Sequence, residues 1–361
     1  MTHSHGQNRG KKMSEKTQKN DYKKYISVLH VVCAFAVVVL HANNSFWQFE
    51  KSGRWIFSNF LESIFYFAVP VFMMVSSATL LDYRDRYDTK TFAKKRVQKA
   101  VIPYLFWTAV ALIVFGATKK IDFQPNPIER IVRAFFHADV YEMNIYNFFL
   151  ELFVCYLCIP LLSLIPKEKR QKPFLFVIVY FFAAHAVLPL VFNFFGIGIT
   201  LPKLPILGSY MIFMFIGYYI STYPIGKKWR IVIYALGIGG LLVQLCGTWI
   251  LSYHYNRLFT IFKGYVNAPS VFYATAVFTF FKHLEGKKIC DGLYKICKPF
   301  VPTTFGIYLI HRYFILFAWD YLHIAKTSVL FITIGSIVVF FLSYAVVKVL
   351  QKIPVVKKIL P

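Results

Sequence analysis

Residues 25–47 read YISVLHVVCAFAVVVLHANNSFW, and this stretch decides the fold. Between Ile26 and Leu40 it carries no Asp, Glu, Lys or Arg. About 20 apolar residues at ~1.5 Å each cross a bilayer as a helix, so a membrane span is expected here. His30 and His41 fall inside it. At about 100° per residue their spacing brings both to one face, ~16 Å apart along the axis. A titratable side chain in a membrane helix is costly unless it faces protein or a wet cavity. Two on one face therefore imply a polar track along the helix. The alternative is an ordinary interhelical hydrogen-bond partner, a role that suits His30 better than His41. His41 stands just before the polar run Asn43-Asn44-Ser45, where water is easily kept.

The rest of the chain agrees with a membrane reading. Its 361 residues are 57% hydrophobic and 19% aromatic, and the mean hydropathy is +0.53. A soluble domain cannot hide that much apolar surface, so an all-α polytopic membrane protein without a separate soluble domain is expected. Ten spans are predicted, at about 25–47, 56–81, 100–117, 144–165, 174–194, 207–222, 231–252, 268–283, 301–322 and 327–348. Residues 1–24 are expected to be a disordered basic arm, 25–348 the membrane domain and 349–361 a short basic tail.

The formal charge of +25 follows the topology. Of the 41 Lys and Arg, 30 fall in the arm, around 84–99, in loops 167–172, 227–230 and 282–298, and at the C-terminus. The loops between them on the other side carry 10, and Arg312 lies within a span. That asymmetry predicts both termini in the cytoplasm of a plasma membrane, with a bacterial cell expected. Anionic lipids, rather than nucleic acid, are the expected partners of the excess charge. Cys155 and Cys158 form a C-x-x-C inside an apolar helix, where small buried hydrophobes are expected and a metal site is not. There is no P-loop, no paired nucleotide-binding glycines and no H-E-x-x-H, so nucleotide hydrolysis and zinc peptidase chemistry are not indicated.

Several polar groups stand out as site candidates. Lys95, Arg96 and Lys99 run straight into span three. They read either as a snorkelling flank or as an anion site through which a phosphorylated cofactor enters. Ser76 and Ser77 make a narrow polar mouth at the same side, while His311 and Arg312 fall near mid-depth of span nine. Glu62 and Glu151 are the acidic residues placed within spans two and four, a position costly enough to suggest function.

In order along the chain, several stretches resemble the acyltransferase-3 family of membrane-bound acyltransferases. VVVLH, ending at His41, resembles the end of that family's first helix with its catalytic histidine. FAVPVFMMVSSATLL (67–81) and KKRVQKAVIPYLFW (94–107) resemble its second-helix stretch and its basic run into Ile-Pro. SYMIFMFIGYYIS (209–221) and FGIYLIH (305–311) resemble two later helices. There are departures. His30 stands where the family has an Arg, Ser76-Ser77 replaces Ser-Gly, and NFFLEL (147–152) lacks an early Trp.

The resemblance implies an acyl donor, acyl-CoA and acetyl-CoA in particular, approaching from the cytoplasm. It also implies an acceptor hydroxyl on a surface or lipid-linked glycan, with His41 as general base. His30, Ser76, Lys95, Arg96, Lys99, His311 and Arg312 are then the candidates for holding the donor. Glu62 or Glu151 would orient the His41 ring, a choice resting on depth alone. A transporter or exporter of a lipid-linked substrate would use the same polar residues to line a pathway.

Overall fold

A computed structural model describes residues 23–197, 210–354 and 356–360; the side chain of Asn144 is not described. Nearly all of the basic arm, and the start of the sixth predicted span with the Gly/Pro-rich loop before it, lie outside the described residues.

Ten helices occupy the ten predicted positions. Seven are long and apolar enough to cross a membrane: α1 (Lys24–Ala42), α2 (Gly53–Asp85), α3 (Thr89–Ala117), α6 (Gln171–Phe194), α8 (Lys227–Tyr255), α11 (Val301–Asp320) and α12 (Phe331–Leu350). Two more, α5 (Asn147–Leu162) and α7 (Met211–Thr222), are shorter apolar helices, and α9 (Ala268–Leu284) has 17 residues. Two further helices have strong apolar and polar faces, α4 (Pro127–His137) and α10 (Lys288–Cys297). No strand occurs among the described residues. The protein is a multi-pass helical membrane protein without a separate soluble domain.

Residues 25–47 sit at the centre of this body. The apolar window of α1 is 78% buried, against 17% for the equally apolar α6. Around it pack α2, α9, α10, α11 and α12. Bilayer lipid is as apolar as leucine, so helices in it associate by close packing rather than by exclusion from water. Gly217 shows how close: a Cβ there would lie 2.4 Å from the Met74 backbone, so only glycine lets α7 meet α2. Span two breaks at Tyr66-Phe67, between helical segments Gly53–Phe65 and Ala68–Leu80. The ring of Pro70 cannot coexist with a regular bond to the carbonyl four residues earlier, that of Tyr66.

The helix ends assigned to the basic side lie together. Glu285 accepts from the Lys24 and Tyr25 amides (3.3 and 2.9 Å), meeting the positive end of α1, and Lys24 pairs with Asp291 (2.6 Å). Buried Arg170 donates to Asp82 (2.7 Å) and to the Tyr218 hydroxyl (2.9 Å), joining α2, α6 and α7. At the opposite end α4 leaves Ile128 and Phe136 over 70% exposed, as suits a helix lying in the interface.

Candidate active site

The last turn of α1 brings His41 against α11. The two rings stack with centroids 5.1 Å apart, and His41 Nδ1 lies 2.9 Å from His311 Nε2. His311 Nδ1 is 3.0 Å from the Ile307 carbonyl one turn back. A carbonyl only accepts, so His311 carries its proton on Nδ1 and offers the Nε2 lone pair. Neutral His41 must then donate from Nδ1, which leaves its Nε2 unprotonated. One backbone carbonyl therefore fixes the tautomer of both rings.

Arg312 organises the rim. It donates to the His41 carbonyl (2.9 Å), to the Glu142 carbonyl (3.0 Å) and to Glu142 Oε2 (2.8 Å). The first bond satisfies a carbonyl that the end of α1 would leave unpaired. Lys326 reaches Glu142 Oε1 (2.8 Å), and both cations lie over the Trp319 ring, at 4.9 and 5.1 Å. Together Leu40, His41, Asn44, Trp47, Glu142, Ile145 and Arg312 line a cavity of about 420 Å³.

Below His41, Asn43 continues the polar construction. Its amide donates to the Ser58 carbonyl and to Glu62 Oε2, both at 2.9 Å, and its own oxygen accepts from the Ser58 hydroxyl. Glu62 thus bonds the residue two beyond His41. Lys263, also buried, donates to Ser63 Oγ (2.6 Å) and is the cation opposing Glu62. Burial pushes the Lys263 ammonium below the usual lysine range, against the pull of Glu62. Glu151 stands on α5 one turn before Cys155, which is buried and unbridged.

The donor candidates divide. His30 and Lys99 line a second cavity, of about 870 Å³, at the basic end of the bundle, with Lys348, Gln351, Lys352 and Lys357. Lys95 instead sits 3.8 Å over the Tyr87 ring, and Arg96 lies over Phe92 and Tyr156, at 5.7 and 5.4 Å. Ser76 bonds the Phe72 carbonyl of its own helix (3.0 Å). His311 and Arg312 join the His41 end. Ring contacts bridge the two cavities: His30 to Phe72 (6.3 Å), Phe72 to Tyr308 (6.5 Å), Tyr308 to His311 (6.0 Å) and on to His41, with Phe148 alongside.

Asn43, Lys263, Lys326 and the C-terminal lysines were not among the sequence candidates, and Glu142 stood out only as one polar residue of the outer segment 118–143. Asn43 had a signal in the polar run after the last turn of α1. The other outer residues come from connections, where no period marks which side chain turns inward.

Comparison with known proteins gives one result. The profile of a family described as an acyltransferase domain matches residues 23–348. No curated protein and no solved structure matches the chain. That match spans α1 through almost all of α12 and takes in the smaller cavity, while Gln351, Lys352, Lys357 and Leu360 of the larger one lie beyond it. The chain accordingly belongs to the acyltransferase-3 family of membrane acyltransferases.

Proposed function

We propose that this acyltransferase moves an acyl group, acetyl in the simplest case, from cytoplasmic acyl-CoA to a hydroxyl of a surface or lipid-linked glycan. The observation that carries this reading is the pair of cavities at the two ends of α1. One is lined by lysines and His30, the other by His41 with His311 behind it, and a row of ring contacts runs between them. A donor with a polyphosphate head and a slender thioester arm fits that division. Its arm would follow α1 past Phe72, Phe148 and Tyr308.

At the outer cavity the acceptor oxygen attacks the thioester carbonyl while His41 Nε2 takes the hydroxyl proton. The new C–O bond forms, the C–S bond breaks, and the proton passes to the departing thiolate. His311 holds the His41 ring and its tautomer, as the third member of a hydrolase triad does. Arg312 and Glu142 are set to bind the acceptor beside the exposed Trp47, whose face suits the apolar side of a sugar ring.

Mass spectrometry of surface glycans from cells with and without the gene product tests this. Acyl substitution should disappear with the gene and return on its restoration. Unchanged substitution, with acceptor-dependent substrate flux across the membrane, would make the protein a transporter instead.

A further inference from the structure

Beyond α12 the chain turns back under the bundle. Gln351 Nε2 donates to the carbonyls of Pro302 (2.9 Å) and Leu360 (3.1 Å), and Trp107 Nε1 to that of Ile359 (3.2 Å). Leu360 is fully buried, packed where a Cβ on Gly306 would meet it at 3.4 Å. These anchors make residues 351–354 and 356–360 a wall of the larger cavity, to which they contribute Gln351, Lys352, Lys357 and Leu360.

What sets the charges here apart is that four lysines, Lys99, Lys348, Lys352 and Lys357, line one cavity. Lys24, Lys167 and Arg170, at the same end of the bundle, each pair with an aspartate. Among the described residues, none of Lys99, Lys348, Lys352 and Lys357 has a carboxylate within 4.0 Å. Four ammonium groups around one cavity repel one another, and a polyanion relieves that repulsion. The unsatisfied chemistry is that of phosphate.

We infer that the C-terminal segment is a phosphate clamp, in which Lys352 and Lys357 grip the terminal, 3′-phosphorylated end of the donor nucleotide. The inference rests on the acyl-CoA reading above and deepens it. Depth sets the assignment. The thioester must pass His30 to reach His41, so the far end of the donor stays at the mouth. Lys352 and Lys357, lying beyond the last membrane helix, are the cations there. Lys99, within α3, and Lys348, in the last turn of α12, are left for the pyrophosphate.

The test measures binding of free CoA and of dephospho-CoA, which lacks only the 3′-phosphate, to the full chain in phosphatidylcholine nanodiscs. The wild type should bind CoA at least about tenfold more tightly, the worth of one charge-assisted hydrogen bond. Lys352→Gln with Lys357→Gln should remove that preference and leave dephospho-CoA binding unchanged. Arg at both positions should restore it. Lys358→Gln, the same charge loss outside the cavity, should keep it.

Equal wild-type affinities for the two nucleotides would overturn the clamp, and this needs no variant to fold. So would a preference that survives the double substitution. Displacement of CoA by phosphatidylglycerol, with the double variant losing that competition, would make the lysines a lipid headgroup site and would also overturn it. Failure of the wild type to bind either nucleotide would instead strike the donor reading, which separates the two failures.

Discussion

At the scale of single residues the site turns on one proton. Ile307 accepts from His311, His311 accepts from His41, and the lone pair left over is His41 Nε2. Replacing His311 with Ala removes the acceptor that fixes the tautomer. The rate at saturating donor and acceptor should fall by roughly 10²–10⁴, with donor affinity unchanged. His311→Gln, which keeps an accepting oxygen, should recover part of the rate. A His311→Ala enzyme of normal rate would show that the ring contact is only packing. His30 allows a separate test. It lines the basic cavity where the family carries an Arg. His30→Arg should keep or tighten donor binding, and His30→Ala should weaken it, both read as donor KM. Of this residue-scale picture, the sequence offered His41, His30, His311 and Arg312. It offered Glu142 only as one polar residue of the outer segment 118–143, not as the carboxylate that meets Arg312, and it paired His41 with carboxylates by depth. Depth says how far along the membrane a residue lies, not which way it faces.

At the scale of elements, close approach explains why some helices are short or buried. Ten of the twelve residues of α7 are buried, and Gly217 touches the α2 backbone. Gly217→Val should cost ~3 kcal/mol, the upper part of the range for overpacking, because the obstacle is backbone rather than a movable side chain. A lower thermal midpoint in detergent and reduced yield of monodisperse protein would register it; an unchanged midpoint would mean that α7 can shift without loss. Ten helices were legible because each is an apolar run between charged or Pro-rich connections. Their ranking by burial was not legible from charge, since 174–194, in the least buried window, carries no Asp, Glu, Lys or Arg either. The break at Tyr66-Phe67 was readable from Pro70, since its cause is local. The return of residues 351–354 and 356–360 was not: a run of lysines after a last span reads as a flank, and what folds it back is Trp107, some 250 positions away in the chain.

At the scale of the whole molecule, the protein is a barrier with a cavity at each end of its central helix. The placement of lysine and arginine predicts an orientation with both termini in the cytoplasm, and cysteine labelling from one side tests it. In a cysteine-free background, Lys51→Cys should react with an impermeant reagent added outside intact cells, and Lys90→Cys only after permeabilisation. Outside labelling at Lys90 would invert the map and put the cationic cavity on the wrong side for a cytoplasmic donor. The central claim, that His41 performs chemistry rather than binding, is met most directly by His41→Ala in nanodiscs, with CoA affinity and acyl transfer measured on the same preparation. CoA affinity should match the wild type while transfer falls by roughly 10³ or more, because the loss is confined to the transition state. Wild-type transfer, or lost CoA binding with a normal rate at saturating donor, would contradict it.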